Sequence, residues 1–320
     1  MRKARTGRLR RTLLAALIAG AVVVPVSAAQ RPQVPAPAPA ALPPLTAATL
    51  DTAYAANRAN AAEAARMAER YGDRARAGRL RAMASPARDF LAFDGRGAGR
   101  TAEVFGDLAT ARRVAVLVPG SDTGIDTYGR FRAGARALHE RLGPRTAVVA
   151  WLGYETPGTV SPAVLTTGRA EEAAPALRSF VAELHGVNPR ARLSLLCHSY
   201  GSVVCARAVA DAAPAPAALA DIVFYGSPGT GYDRAADLNS LTHARIWAGR
   251  SSGDWISDVP HSSFGLFGTT VGFGTDPVSP GFGARIFDAG DGGHSDYLRP
   301  GSVALDSLAR IVRDTEAAHD

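Results

Sequence analysis

The segment Leu193 to Val204, LSLLCHSYGSVV, constrains this chain more than any other. An apolar strand ends at Cys197, Ser199 follows between small residues, and a second apolar stretch begins at Gly201. This is the layout of a nucleophile elbow, in which a serine sits at the tip of a sharp strand-to-helix turn. The serine is held in strained backbone geometry, and its flanks must be small so that the turn closes and substrate approaches. The flanks here are Cys197 and Gly201, so cysteine stands where the pattern G-x-S-x-G has its first glycine. Cysteine is still small enough for the turn. A match of five residues also arises by chance, and a serine buried after a core strand would look alike, so the rest of the chain has to decide.

Beyond Pro86 the apolar pattern becomes strand-like at Phe90 to Phe93, Val114 to Val118, Thr146 to Leu152, Leu193 to Leu196 and Ile222 to Tyr225, with shorter runs at Ala244 to Ala248 and Ala284 to Phe287. Helical patterns occupy 126–142, 166–186, 201–212 and 301–318. Near-continuous apolar strands alternating with helices imply a mostly parallel sheet covered on both faces. In such sheets, active residues gather in loops at the carboxyl ends of the strands. Ser199 follows one strand, Asp254 lies in GRSSGDW after the Ala244 run, and His294 lies in DAGDGGHSDY after the Ala284 run. The order Ser, Asp, His is that of triads on α/β-hydrolase folds. Serine becomes a nucleophile when a neutral imidazole takes its proton, and a carboxylate fixes that imidazole's tautomer. Asp254 is the candidate acid, with Asp258 and Asp276 as alternatives.

The oxyanion needs two converging N–H groups. Tyr200, next after the serine, offers one, and the loop after Val118 offers the other through Ser121 or Gly120, since Pro119 has no donor. Asp122 and Asp126 line the pocket nearby or cap the helix near Tyr128. His198 is read as a packing or elbow-bracing residue; His139, His185 and His319 fall in helical patterns at the surface, and His243 and His261 are weaker spares. Ser227 in GSPG is a pocket-shaping residue, and the glycine-rich stretch between Trp255 and Gly283, with Phe264, Leu266, Phe267, Phe273 and Phe282, is either an apolar flap or irregular core.

The amino terminus reads as an export signal. Six basic residues fall within residues 2 to 11, an apolar run spans Leu13 to Val24, and Val26-Ser27-Ala28 offers a small-x-small cleavage site, so residues 1–28 are expected to be a signal peptide. The Arg10-Arg11 pair leaves the general secretory and twin-arginine routes both open. The expected location is secreted or associated with the cell envelope. The formal charge of +7 then belongs mostly to the leader, which removes any composition argument for nucleic-acid binding. Lys3 is the only lysine, excluding lysine-based covalent chemistry from the mature chain. Residues 29–45 form a Pro/Ala linker, residues 46–85 a helical segment with breaks at Gly72 and Gly78, and residues 86–320 the catalytic domain. Cys197 and Cys205 bracket the elbow; their Cβ directions are expected to diverge, leaving two buried free thiols. No spacing suggests a metal site, and no cofactor is expected.

Taken together, FLAFDGRGAGRTAEVFGDL, VAVLVPGSDT, DTYGRF, VAWLGYETP, CHSYGS, FYGSPG, WAGRSSGD and GHSDY resemble a family of bacterial α/β-hydrolases of unknown function. The resemblance runs from about Phe90 to the carboxyl terminus, and the family's elbow usually reads GHSYGS, from which Cys197 departs. It implies an α/β-hydrolase fold with Ser199 as nucleophile, His294 as base and Asp254 as acid. The expectation is an exported serine hydrolase acting on a small-molecule or lipid ester, with an envelope acyltransferase or a noncatalytic binding protein as the rivals.

Overall fold

The computed structural model describes residues 33–210, 219–259, 263–266 and 269–313. The expected leader, His261, Phe267, His319 and the far ends of the helices expected at 201–212 and 301–318 lie outside the described residues. The described residues from Pro35 onwards form one compact unit.

Two helices open the described chain, Leu50–Tyr71 (α1) and Arg74–Met83 (α2). They break at Gly72, whose left-handed backbone (φ 95°) caps α1 as expected. Gly78 does not break the second helix. The buried stripe of α1 is built mainly from alanines, with Ala53, Ala61, Ala64, Ala65 and Ala68 all covered. Small side chains let the helix lie close against Asp89–Asp94 (β1), where the amide of Asn57 donates to the Phe90 carbonyl at 2.8 Å.

The remaining strands are Arg100–Phe105 (β2), Arg113–Val118 (β3), Thr146–Leu152 (β4), Arg192–His198 (β5), Leu219–Tyr225 (β6), Arg245–Gly249 (β7), Ser263–Leu266 (β8), Thr269–Gly272 (β9) and Arg285–Ile286 (β10). Eight of them form one sheet in the order β1-β2-β4-β3-β5-β6-β7-β10, while β8 and β9 pair as a separate antiparallel hairpin. From β4 to β10 every neighbour is parallel; β1 and β2 supply the antiparallel edge. Burial on both faces explains why β3 and β4 read as near-continuous apolar runs, while in β5 the one polar residue of the buried body, Ser194, donates to Asp221 at 3.1 Å.

Helices Tyr128–Leu142 (α3), Gly168–Val187 (α4), Gly201–Ala210 (α5), Ala235–Thr242 (α6) and Val303–Arg313 (α7) complete the fold. Helices α4 and α5 pack together, and so do α3 and α7. The strand β2 escaped the sequence pattern because Arg100 and Glu103 interrupt it. Glu103 is nonetheless buried, and its charge is met by Arg88, which donates two hydrogen bonds at 2.8 and 2.7 Å, and by Arg132 at 3.0 Å.

The expectation of two free thiols is corrected: Cys197 and Cys205 form a disulfide, with Cα atoms 6.4 Å apart. Alternation along β5 puts Cys197 on the face of Leu193 and Leu195, in the same core cluster as Cys205. The elbow folds α5 back over that face, and helical Cβ atoms tilt towards the helix amino terminus, so the Cys205 side chain leans back towards the strand end. The turn that was expected to separate the two thiols brings them together.

Candidate active site

Ser199 sits at φ 51°, a left-handed conformation that a serine adopts only when the surroundings impose it. Its N–H donates to the Tyr225 carbonyl at 3.0 Å, and its own carbonyl accepts from the Ser202 N–H at 2.9 Å as α5 starts. Gly201 has no room for a side chain: a Cβ there would lie 2.6 Å from the Val118 carbonyl oxygen and 2.7 Å from that of Pro119. The elbow is thus wedged against the end of β3.

A continuous hydrogen-bonded chain starts at this serine. Ser199 Oγ lies 2.9 Å from His294 Nε2, and His294 Nδ1 lies 2.8 and 3.0 Å from the two carboxylate oxygens of Asp254. His294 comes from the loop after β10, and Asp254 from the loop after β7, where it caps a short 3-10 turn, Trp255–Asp258, by accepting the Ile256 N–H at 2.9 Å. Of the three candidate carboxylates, the fold brings only Asp254 to the imidazole. Asp258 is exposed, and Asp276 forms an ion pair with Arg250 at 2.8 Å.

Burial works to raise the Asp254 carboxyl, but hydrogen bonds from His294, Tyr297 and the Ile256 N–H outweigh it and hold the group below its ordinary value. Tyr297 had no role assigned from sequence, although it ends the GHSDY motif. Its buried hydroxyl donates to Asp254 Oδ2 at 2.5 Å and accepts the Ser251 N–H at 3.1 Å. The motif spacing gives the only sequence signal for it, three residues after the base.

His198, beside the nucleophile, packs among the rings of Tyr225, His294 and Tyr297 and reaches the His294 loop. Burial, and then the neighbouring His294, push its pKa down to about 3, so its ring is neutral near pH 7. In that form its Nε2–H donates to the His294 carbonyl at 2.8 Å. Its ring centroid lies 4.7 Å from that of His294, whose ring also meets Trp255 at 4.7 Å.

Of the expected oxyanion donors, Tyr200 follows the nucleophile directly, and Ser121 lines the same cleft. Gly120 approaches so closely that a Cβ there would fall 2.6 Å from Ser199 Cβ and 3.1 Å from its Oγ. The N–H groups of Gly120, Ser121 and Tyr200 have no acceptor among the described residues. The Pro119 carbonyl is pinned by the buried Tyr154 hydroxyl at 2.7 Å, a contact the sequence did not disclose. Tyr200 is anchored at its far end, where its hydroxyl donates to the Thr166 carbonyl at 2.7 Å.

A cleft of about 890 Å³ opens above Ser199, with Phe131, Val164, Leu165, Ile256 and Leu298 supplying apolar wall. Asp122 lines it and accepts hydrogen bonds from the Thr159 N–H and hydroxyl. Asp126 instead pairs with Arg76 and Arg79 of α2. Ser227 closes its own turn with Gly229, and His243 terminates α6 in a left-handed conformation. His139 and His185 are half-buried on their helices rather than at the surface. Phe273 and Phe282 belong to the core, with Phe273 edge-on to Tyr200 and also lining the cleft. The stretch read as flap or irregular core contains the β8–β9 hairpin.

The strand order, the elbow after β5 and the loops after β7 and β10 define an α/β-hydrolase fold. A family model described as alpha/beta hydrolase matches residues 94–264, and the chain belongs to that family. Among curated proteins it is similar to the uncharacterized protein Rv2079 of Mycobacterium tuberculosis, 33% identical over an alignment of 260 positions that covers 70% of this chain and 38% of that protein. It is also similar to the uncharacterized protein Rv0963c of the same organism, 34% identical over 148 residues, covering 42% and 53% of the two chains. The chain therefore spans well under two thirds of the length of these relatives. Among solved structures, the a/b serine hydrolase XC6422 of Xanthomonas campestris aligns over 72% of this chain and 98% of its own, with 18% identity and a TM-score of 0.43.

Proposed function

We propose that this protein is an exported serine hydrolase that cleaves carboxylic esters through an acyl-enzyme on Ser199. The observation that carries this is the unbroken chain from Ser199 through His294 to Asp254, with unpaired backbone N–H groups beside the serine. His294 Nε2 takes the Ser199 proton as Oγ attacks the ester carbonyl, while Asp254 holds the Nδ1–H and stabilises the imidazolium. The tetrahedral oxyanion is met by the N–H of Tyr200 and by that of Ser121 or Gly120. As the intermediate collapses, the imidazolium returns its proton to the departing alcohol. Water, activated by the same base, then attacks the acyl-enzyme and releases the acid. Export is supported by the basic-then-apolar leader and by the Cys197–Cys205 disulfide, which suits an oxidising compartment.

Transfer of the acyl group to an alcohol would use the same residues, and so the test has two readouts. The purified protein is treated with a fluorophosphonate probe beside Ser199→Ala and His294→Ala variants, and product is followed from a chromogenic ester with and without added alcohol. Labelling that disappears in both variants, with free acid as the main product, is the expected result. A folded wild type that does not label overturns the catalytic reading in favour of a binding protein, and product that forms only with the alcohol present makes it a transferase.

A further inference from the structure

Beside the cleft, at the start of α3, lies a second recess of about 390 Å³ whose lining includes Arg79, Arg88, Arg130 and Arg132. Thr127 and Arg130 line both hollows, so the two are contiguous. The charges around it do not cancel. Glu103 is shared by Arg88 and Arg132, and Asp126 by Arg79 and the buried Arg76 behind it, so the four guanidiniums that line the recess, with Arg76, are set against two carboxylates, while Asp122 lies on the cleft side of Thr127. Arg130 has no carboxylate partner among the described residues; its side chain donates to Ser295 Oγ at 3.3 Å. Arg79 reaches Asp126 only at 3.3 Å and is half exposed. Of the side chains with donors to spare, Arg130 stands at the shared rim.

Position along the reaction coordinate decides which part of a substrate meets this charge. The group that leaves an ester must lie beside the proton it receives, which is on His294 Nε2. Arg130 touches Ser295, the residue after that histidine. The recess therefore opens on the histidine side of the cleft, where the alcohol departs. We propose that the substrate is an ester whose alcohol part carries an anionic group, a carboxylate or a phosphate, bound in this recess with Arg130 as the specificity-determining contact. The proposal rests on the hydrolase function above.

The test compares two octanoate esters, one of para-nitrophenol and one of the same phenol bearing a meta carboxylate, in the wild type and in Arg130→Gln; a phenyl octanoate bearing a phosphate distinguishes the two headgroups. The wild type is expected to favour a charged ester in kcat/KM, and Arg130→Gln to lower that preference about tenfold, mainly through KM, as for loss of one partly screened charged hydrogen bond. Added salt should erode the preference in the wild type and much less in the variant. Inorganic phosphate should compete with the charged ester. If the neutral ester is cleaved and the ratio is the same in both proteins, the anion site is refuted while the hydrolase stands. If no ester is cleaved and Ser199 does not label, both fall.

Discussion

Replacing Tyr297 by phenylalanine removes one hydroxyl and nothing else from a buried site, and its effect can be worked out from the contacts. The hydroxyl donates to the Asp254 carboxylate at 2.5 Å and accepts from the Ser251 N–H at 3.1 Å. A hydrogen bond to a charged group contributes about 1.5–3 kcal/mol, and a buried amide left without its acceptor costs about 1 kcal/mol more. Tyr297→Phe should therefore lose about 2.5–4 kcal/mol at neutral pH, measured by urea unfolding. The carboxylate keeps His294 and the Ile256 N–H, so the acid stays in place but less firmly. If about 1.4 kcal/mol of the lost support is felt in the transition state, kcat falls about tenfold.

The pH dependence separates positioning from plain structural support. Asp254 is held below its ordinary value of 3.8, so it contributes stability that is present above 3.8 and is lost as pH falls through the lower folded value. Without Tyr297 burial regains influence, the carboxyl rises, and that contribution shrinks. The gap in stability between wild type and variant should then narrow on acidification below the ordinary carboxylate value. A variant that unfolds like the wild type at neutral pH, or whose deficit does not change with pH while kcat is intact, would refute the reasoning.

Gly120→Ala puts a methyl 2.6 Å from Ser199 Cβ, and the displacement should cut the fluorophosphonate labelling rate on the order of a hundredfold in a protein that still folds. Reducing the Cys197–Cys205 bond, which joins residues eight apart, should cost about 2–3 kcal/mol in urea unfolding by the loop-closure relation. His198→Phe keeps a ring but loses the donor to the His294 carbonyl, and kcat should drop several-fold, on the order of one lost hydrogen bond. Because the His198 pKa falls from 6.5 to about 3 on folding, the unfolded chain binds the extra proton first, and the wild type loses stability as pH falls between those values. That slope should be smaller in His198→Phe, as read from melting temperature against pH.

The parts of the fold legible in the sequence are those written in contiguous residues. Strand β4 was readable to its ends, because a strand buried on both faces must be apolar throughout. Strand β2 was not, because the charge of Glu103 is met by Arg88 and Arg132, which lie 15 and 29 residues away. The same limit applied at the site. Ser199 and His294 each stand in a recognisable local setting, whereas the choice among Asp254, Asp258 and Asp276 depends on which carboxylate the loop after β7 turns towards the imidazole. The Tyr297 hydroxyl is likewise defined by partners 43 and 46 residues away.

The departure at Cys197 follows from the same distinction. As a sequence feature it is a missing glycine, and it raises the question of whether the turn relaxes. In the fold, Cys197 is fully buried, its side chain is taken up by the bond to Cys205, and Ser199 keeps its left-handed geometry at φ 51°. The close approach that forbids a side chain falls instead on Gly201, which is wedged against the Val118 and Pro119 carbonyls, and on Gly120, which faces Ser199 itself. The cysteine is tolerated because its side chain points onto the face that α5 covers. There it ties the strand that ends at the nucleophile to the helix that begins after it.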